Sequence, residues 1–224
     1  MRILHIVHQY LPHHVGGTEL YTQTLARYQA RGQGNQVAIF YPSPEAPSAE
    51  TTPSLAAGRP QLDANSLSLR EEDGLRVYAP RLGPRSRARV FMDTFYQPAL
   101  RNALQHVLQR EKPQLVHVQH LMGLPVALVQ QIHRLQIPFV VTLHDYWFPC
   151  ANGQLLTNYD QTLCAGPDYW VNCGRCALAR AGLGDRPLLA PALAPLLGYR
   201  SLLLQRVLAR AARVIAPTHF VRDT

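Results

Sequence analysis

Residues 2–41 read RILHIVHQYLPHHVGGTELYTQTLARYQARGQGNQVAIFY. RILHIVH at 2–8 is a short apolar run with a few polar interruptions, as expected of a buried strand. QYLPHHVGGTE follows as a loop with Pro12 and the pair Gly16-Gly17. Thr18 is a suitable N-cap for a helix whose apolar residues Leu20, Tyr21, Leu25 and Tyr28 recur at helical spacing. Gly32 and Gly34 end that helix, and QVAIFY at 36–41 is a second strand. Strand, helix, strand in this order is a βαβ unit and predicts a parallel sheet.

Outward from this unit the rhythm breaks and then resumes. Residues 42–68 hold five prolines among Ser, Thr and Ala and read as a surface excursion. Leu75 to Tyr78 is a short strand, followed by a basic turn with Arg81, Arg85, Arg87 and Arg89. Val90 to Glu111 is helical in pattern, with Pro98 kinking or splitting it. QLVHVQ at 114–119 and Phe139 to Leu143 are further strands, with a helix from Gly123 to Leu135 between them. Leu188 to Arg213 is helical, and its four arginines border an apolar face suited to core packing or to a membrane surface. RVIAP at 213–217 is a last strand, and Thr218 is the N-cap of a helix only begun by Thr224, so the chain is expected to be a fragment. The fold class is α/β: a Rossmann-like three-layer α/β/α domain with a mainly parallel sheet, carrying a Cys-rich loop insertion at 146–186.

Composition narrows the partners. The 224 residues carry a net charge of +8 from 22 basic and 14 acidic side chains, which favours anionic partners without choosing among them. The amino terminus lacks the uninterrupted apolar core of a signal peptide, and 187–199 is too short and proline-rich to span a bilayer. A cytoplasmic location is expected, where cysteines serve as thiols or metal ligands rather than disulfides.

Polar groups collect where strands end. His117, Gln119 and His120 close one strand, His144 and Asp145 the next, and Thr218 and His219 follow the last. Ligands of open α/β sheets lie outside the carboxyl ends of the strands, so these groups are candidates for one cleft. The glycine pair can offer backbone N–H groups to a phosphate, although a plain turn is the simpler account. G-x-G-x-x-G, a Walker lysine and a G-x-S-x-G elbow are all missing from the sequence, which disfavours nicotinamide, P-loop and Ser-hydrolase chemistry. Cys150, Cys164, Cys173 and Cys176 lie within 27 residues, with Cys173-x-x-Cys176 spaced as a zinc knuckle. A structural Zn²⁺ on these four and a set of free buried thiols are the two readings. Four thiolates would leave no open position for catalysis.

Four ordered motifs carry a resemblance: the opening 1–32, PQLVHVQHLMGLP at 113–125, IPFVVTLHDYWFPC at 137–150 and ARVIAPTHFVRD at 212–223. Together they resemble the amino-terminal half of retaining glycosyltransferases of family 4, which have the two-domain GT-B fold. The resemblance implies a nucleotide-diphosphate-sugar donor, with Gly16, Gly17 and Thr218 on its side of the cleft. It implies a sugar or lipid-linked glycan as acceptor, held mostly by this half. His144 matches the histidine of the family's T-x-H pattern, with Asp145 beside it to orient it. The family's V-H-x-H position is occupied by Gln119, with His120 one place later. The nucleotide-sugar pocket belongs to a carboxy-terminal domain, so this chain is expected to be inactive alone. Peripheral contact with the inner face of a membrane fits such an acceptor, and any zinc would be structural. The rival is a zinc-containing basic module for nucleic acid or a protein partner. The scattered basic residues, without aromatic interleaving, argue against nucleic acid.

Overall fold

The computed structural model describes residues 1–45 and 67–223. The chain divides into two compact units, one of Met1–Thr142 with Ala211–Ile215, the other of Leu143–Arg210 with Ala216–Thr224.

The first unit holds the sheet. Its strands are β1 (Arg2–Ile6), β2 (Gln36–Phe40), β3 (Leu67–Glu72), β4 (Leu75–Pro80), β5 (Leu115–Val118), β6 (Phe139–Thr142) and β7 (Arg213–Ile215). They lie in the order β3-β4-β2-β1-β5-β6-β7. Every pairing is parallel except the β3–β4 hairpin at one edge. β1 and β2 are buried almost throughout, because helices cover both faces of a parallel sheet. Ile3, Val37, Ile39, Leu75 and Val77 share one core cluster with Val7, Tyr10 and Tyr41.

Helices α1 (Gly17–Arg27), α2 (Arg87–Asp93), α3 (Pro98–Glu111) and α4 (Ala127–Arg134) complete this unit. The order runs outward from β1 to β2 and β4 on one side, and to β5, β6 and β7 on the other. Right-handed crossovers therefore put α1 and α4 on opposite faces and leave the switch point between β1 and β5. Pro98 sits in the first turn of α3 and divides the helical pattern of 90–111 into two helices. Asp93, fully buried at the end of α2, accepts from Arg85 Nη1 at 2.8 Å and Arg89 Nε at 2.9 Å. Arg85 Nη1 also donates to the Gly123 carbonyl at 2.9 Å.

Several expectations shift. Gly16, not Thr18, is the N-cap of α1, and Thr18 lies inside the first turn with its carbonyl accepting from Thr22 Oγ1 at 2.7 Å. β3 starts inside the expected excursion of 42–68 and is not among the expected strands, because its LSLREE sequence is polar and pairs only at an edge. Residues 46–66 of the proline-rich stretch lie outside the described residues. On the amino-terminal edge, Arg2, Gln36, Arg76, Arg110, Glu111 and Lys112 line a cavity of about 490 Å³. Part of the positive charge gathers there, with Arg76 Nε 2.9 Å from the Glu111 carboxylate.

The second unit is helical: α5 (Val171–Arg180), a 3-10 turn (Ala190–Leu193), α6 (Ala194–Arg210) and α7 (His219–Asp223). α6 buries Leu197, Arg200, Ser201, Leu203, Leu204 and Val207, the spacing of a core-packing face. Arg200 is 2% exposed, which takes it off any lipid-facing surface. Its Nη2 donates to the Trp147 carbonyl at 2.6 Å, and its guanidinium lies 4.4 Å from the centre of the Trp147 ring. No helix among the described residues is long and apolar enough to cross a membrane.

α5 meets the 3-10 turn so closely at Gly174 that an added Cβ would lie 2.4 Å from the Ala190 carbonyl oxygen. The obstacle is backbone, so relief requires the two elements to separate. Gly174→Ala should therefore destabilise the protein by about 1–3 kcal/mol, read from the denaturation midpoint.

A buried polar cluster at the switch point

The candidate site follows from register. β1 and β5 pair with Ile6 opposite Val118, and the Gln119 amide continues the ladder to the Ile6 carbonyl at 2.8 Å. Both strands release polar residues past their carboxyl ends, His8 after β1 and Gln119-His120 after β5. The His8 and His120 rings lie 4.3 Å apart between centroids. His120 Nδ1 accepts from the Met122 amide at 3.1 Å, which leaves the proton of a neutral ring on Nε2.

The glycine turn and the first turn of α1 bring a carboxylate to the same place. Glu19 Oε1 is 3.9 Å from His8 Nε2, with the two side chains 6% and 10% exposed. A Cβ on Gly16 would lie 2.6 Å from Glu19 Oε2, so the missing side chain makes room for that carboxylate. Gly17 has no atom within 4 Å of its Cβ position and is exposed.

Behind these groups runs a relay through β1. Gln119 Nε2 donates to His5 Nδ1 at 3.1 Å, and His5 Nε2 donates to Gln29 Oε1 at 2.8 Å. His117 lies beside His5, its ring 5.2 Å away, and its Nε2 is 2.8 Å from Thr142 Oγ1. His117 thus belongs to the sheet interior rather than its edge. Burial of His5 lowers its pKa from 6.5 to about 4, against the opposing effect of the Gln29 bond, so the ring is neutral near pH 7.

The remaining expected residues lie in the second unit. His144 is half-buried, two residues beyond the end of β6. Asp145 Oδ1 accepts from the Trp147 amide at 2.8 Å, tying the turn after the strand. Thr218 caps α7 as expected, its Oγ1 accepting from the Val221 amide at 3.2 Å.

Among the described residues no group of three or more His, Cys, Asp or Glu is placed to hold a metal ion. Cys176 Sγ accepts from the Asn158 backbone and side-chain N–H groups at 3.3 and 3.2 Å, and the Cys164 thiol donates to the Gly166 carbonyl at 3.4 Å. Burial, reinforced by the neighbouring sulfurs of Cys150, Cys164 and Cys176, pushes the Cys173 thiol up to about 11. The zinc expected from spacing is not supported by this arrangement.

His5, His8 and Glu19 belong to the cluster and were not singled out by sequence. His5 and His8 read as interruptions of a strand, and acidic residues such as Glu19 are ordinary in a first helical turn. The available signal was a carboxylate three residues after a glycine, within reach of a histidine two residues past a strand end.

The family described as Glycosyltransferase Family 4 matches residues 15–224. No curated protein matches the chain significantly. Among solved structures, a sucrose-phosphate synthase from Thermosynechococcus elongatus is 14% identical, covering 64% of this chain and 33% of that one, with a TM-score of 0.40. An E. coli structure described as trehalose-6-phosphate bound with UDP-2-fluoro glucose is 12% identical over 68% and 35%, with a TM-score of 0.38. The apo UGT2 of Phytolacca americana is 16% identical over 97% and 46%, with a TM-score of 0.41. The chain thus spans about a third to a half of the structures it matches.

The buried His5 gives a pH signature. Between about pH 4 and 6.5 the unfolded chain binds a proton at His5 that the folded chain refuses, so stability rises with pH across that window. Its contribution is complete above 6.5 and is lost as pH falls toward 4. His5→Asn should flatten the difference between urea midpoints at pH 4.5 and 7 by an amount of order 3 kcal/mol or less.

Proposed function

The chain belongs to glycosyltransferase family 4, and we propose that it forms the acceptor-side half of a GT-B enzyme transferring a sugar from a nucleotide-diphosphate donor with retention at the anomeric carbon. The single observation that carries this is the polar cluster at the point where the strand order reverses, where open α/β sheets bind their ligands. A composition of histidine, glutamine and carboxylate suits polyhydroxy ligands, because each group offers or accepts a directed hydrogen bond.

In this proposal Gln119 and His120 face the transferred sugar. The neutral His5 holds the Gln119 amide, so that a polar contact is preset rather than organised on binding. His144, with Asp145 tying the turn behind it, contributes a second polar contact at the reacting centre. Gly17, open at its Cβ position, presents the amino end of α1 to the donor diphosphate; Gly16 and Thr218 shape the backbone on that side. Retention proceeds by front-face attack, in which the leaving diphosphate assists deprotonation of the acceptor hydroxyl. The domain carrying the nucleotide-sugar pocket completes the cleft, and the 224-residue chain alone does not turn over. The acceptor is a sugar or a lipid-linked glycan, met in the cytoplasm or at the inner face of a membrane.

Release of nucleoside diphosphate from a panel of nucleotide sugars, by the protein carrying both halves of the cleft, tests this. Activity should appear with at least one donor, and His144→Ala should lower it about a hundredfold or more without unfolding the protein. Full turnover in a folded His144→Ala variant would remove His144 from the site. Product with inverted anomeric configuration, read by NMR, would overturn retention.

A further inference from the structure

Another concentration of charge lies at the opposite end of the sheet. Arg2 opens β1, Gln36 opens β2 and Arg76 lies one residue into β4, so strand register brings them to the amino-terminal edge. The carboxyl end of α3 adds Arg110, Glu111 and Lys112, and these six residues line the cavity of about 490 Å³. At about 3.3 Å per residue, Arg2 stands about 20 Å along the chain from His8.

The lining carries four cations against one carboxylate. That carboxylate is committed to Arg76, whose Nε and Nη2 donate to it at 2.9 and 2.5 Å, and the Tyr78 hydroxyl donates to it as well. Burial pushes the Glu111 carboxyl up, but the bonds from Arg76 and Tyr78 outweigh it and hold the group below its ordinary value. Glu111 is therefore ionised and neutralises Arg76. Glu71, opposite Arg76 in the hairpin register, is exposed and acts on that same arginine.

Arg2, Arg110 and Lys112 are left. Arg2 Nε donates to the Lys112 carbonyl at 2.7 Å, and its two Nη groups meet no acceptor among the described residues. Nor does any hydrogen bond or ion pair among the described residues engage the Arg110 guanidinium or the Lys112 ammonium. Lys112 is fixed through its backbone, which is left-handed at φ 45° and donates its N–H to the Leu108 carbonyl at 3.0 Å. Cations at the carboxyl end of a helix ordinarily offset its dipole, but that dipole amounts to about half a charge. One cation suffices for it. Three around one concavity repel each other, and a bound anion relieves the repulsion.

We propose that this cavity binds a soluble oligophosphate, a diphosphate being the smallest member of the class, at a site separate from the cleft at the switch point. A carboxylate offers two oxygens in one plane and suits a single guanidinium fork. A phosphate displays oxygens in several directions, so it can meet two guanidinium groups and an ammonium that arrive from a strand and a helix end. Two linked phosphates also carry several negative charges near neutral pH, in keeping with three unengaged cations. The inference does not rest on the proposed function.

Calorimetric titration of the 224-residue chain with sodium pyrophosphate tests it, in about 0.1 M salt to screen the general field of the protein. Saturable binding should appear, and Arg110→Gln with Lys112→Gln should weaken it about 10- to 100-fold. Both side chains are exposed, so the melting temperature of the unliganded protein should be unchanged. Arg206→Gln with Arg210→Gln removes the same charge from the exposed side of α6 and should leave the affinity within about twofold. Equal losses in the two double variants mark attraction by net charge alone and overturn the inference. Binding untouched by the first pair belongs elsewhere on the chain and overturns it too, as does the lack of saturable binding. Citrate should bind at least about tenfold more weakly than pyrophosphate; equal affinity overturns the phosphate class. The chain should not sediment with vesicles of phosphatidic acid and phosphatidylcholine. Sedimentation that pyrophosphate reverses, and that the Arg110 and Lys112 substitutions abolish, overturns the soluble source in favour of a lipid head group.

Discussion

The pairing of β1 with β5 is the constraint on which the rest depends. Parallel strands must be joined by crossovers, and here the crossovers depart in opposite directions from these two strands. The backbone at their carboxyl ends is consequently covered by neither crossover helix. The register that sets Ile6 opposite Val118 also sets His8 beside His120. A slip of one residue would turn His5 and His117 to the other face and dismantle the relay to Gln119. The hydrogen-bonded ladder that makes the sheet thus also positions the site.

Sequence patterns reveal some levels of this arrangement and hide others. The βαβ opening is legible because a strand buried on both faces must be apolar nearly throughout, and Ile3, Leu4, Ile6 and Val7 satisfy that without context. β3 is not legible, because an edge strand with one solvated face can carry Arg70, Glu71 and Glu72 without penalty. The cap of α1 was misplaced for a related reason. Thr18 is the better capping side chain in isolation, but the approach of Glu19 demands a residue without Cβ one turn earlier. Residues at the strand ends, Gln119 and His120, were accessible to pattern because strand ends are predictable. His8 and Glu19 became visible only when two segments eleven residues apart were folded against each other. The cysteines mark the limit of pattern: spacing suggests a shared ligand, but side-chain positions depend on loop geometry that spacing does not encode.

The second unit handles charge differently. Arg200 is buried with its Nε lacking an acceptor among the described residues, and two backbone carbonyls and an indole face replace the usual carboxylate. Burial lowers its pKa to about 10, still far enough above neutrality to keep the charge. A hydrophobic residue in its place would pack the helix equally well, but it would abandon the carbonyls of Trp147 and Phe148. The arginine therefore fixes the aromatic segment that follows His144 and Asp145. An amphipathic pattern in sequence had shown only that α6 has an apolar side.

The bond from Arg85 to the Gly123 carbonyl has a consequence for ionic strength. His120 is held by the Met122 amide, and the loop that supplies that amide is anchored one residue later to Arg85, itself paired with the fully buried Asp93. Mobile ions screen surface charges within about 10 Å at 0.1 M salt but act weakly on a pair withdrawn from solvent. A protein with a net charge of +8 loses long-range attraction for anions as salt rises, while the loop beside its switch point keeps its shape. Salt thereby weakens the long-range field of the protein without loosening the loop that holds His120.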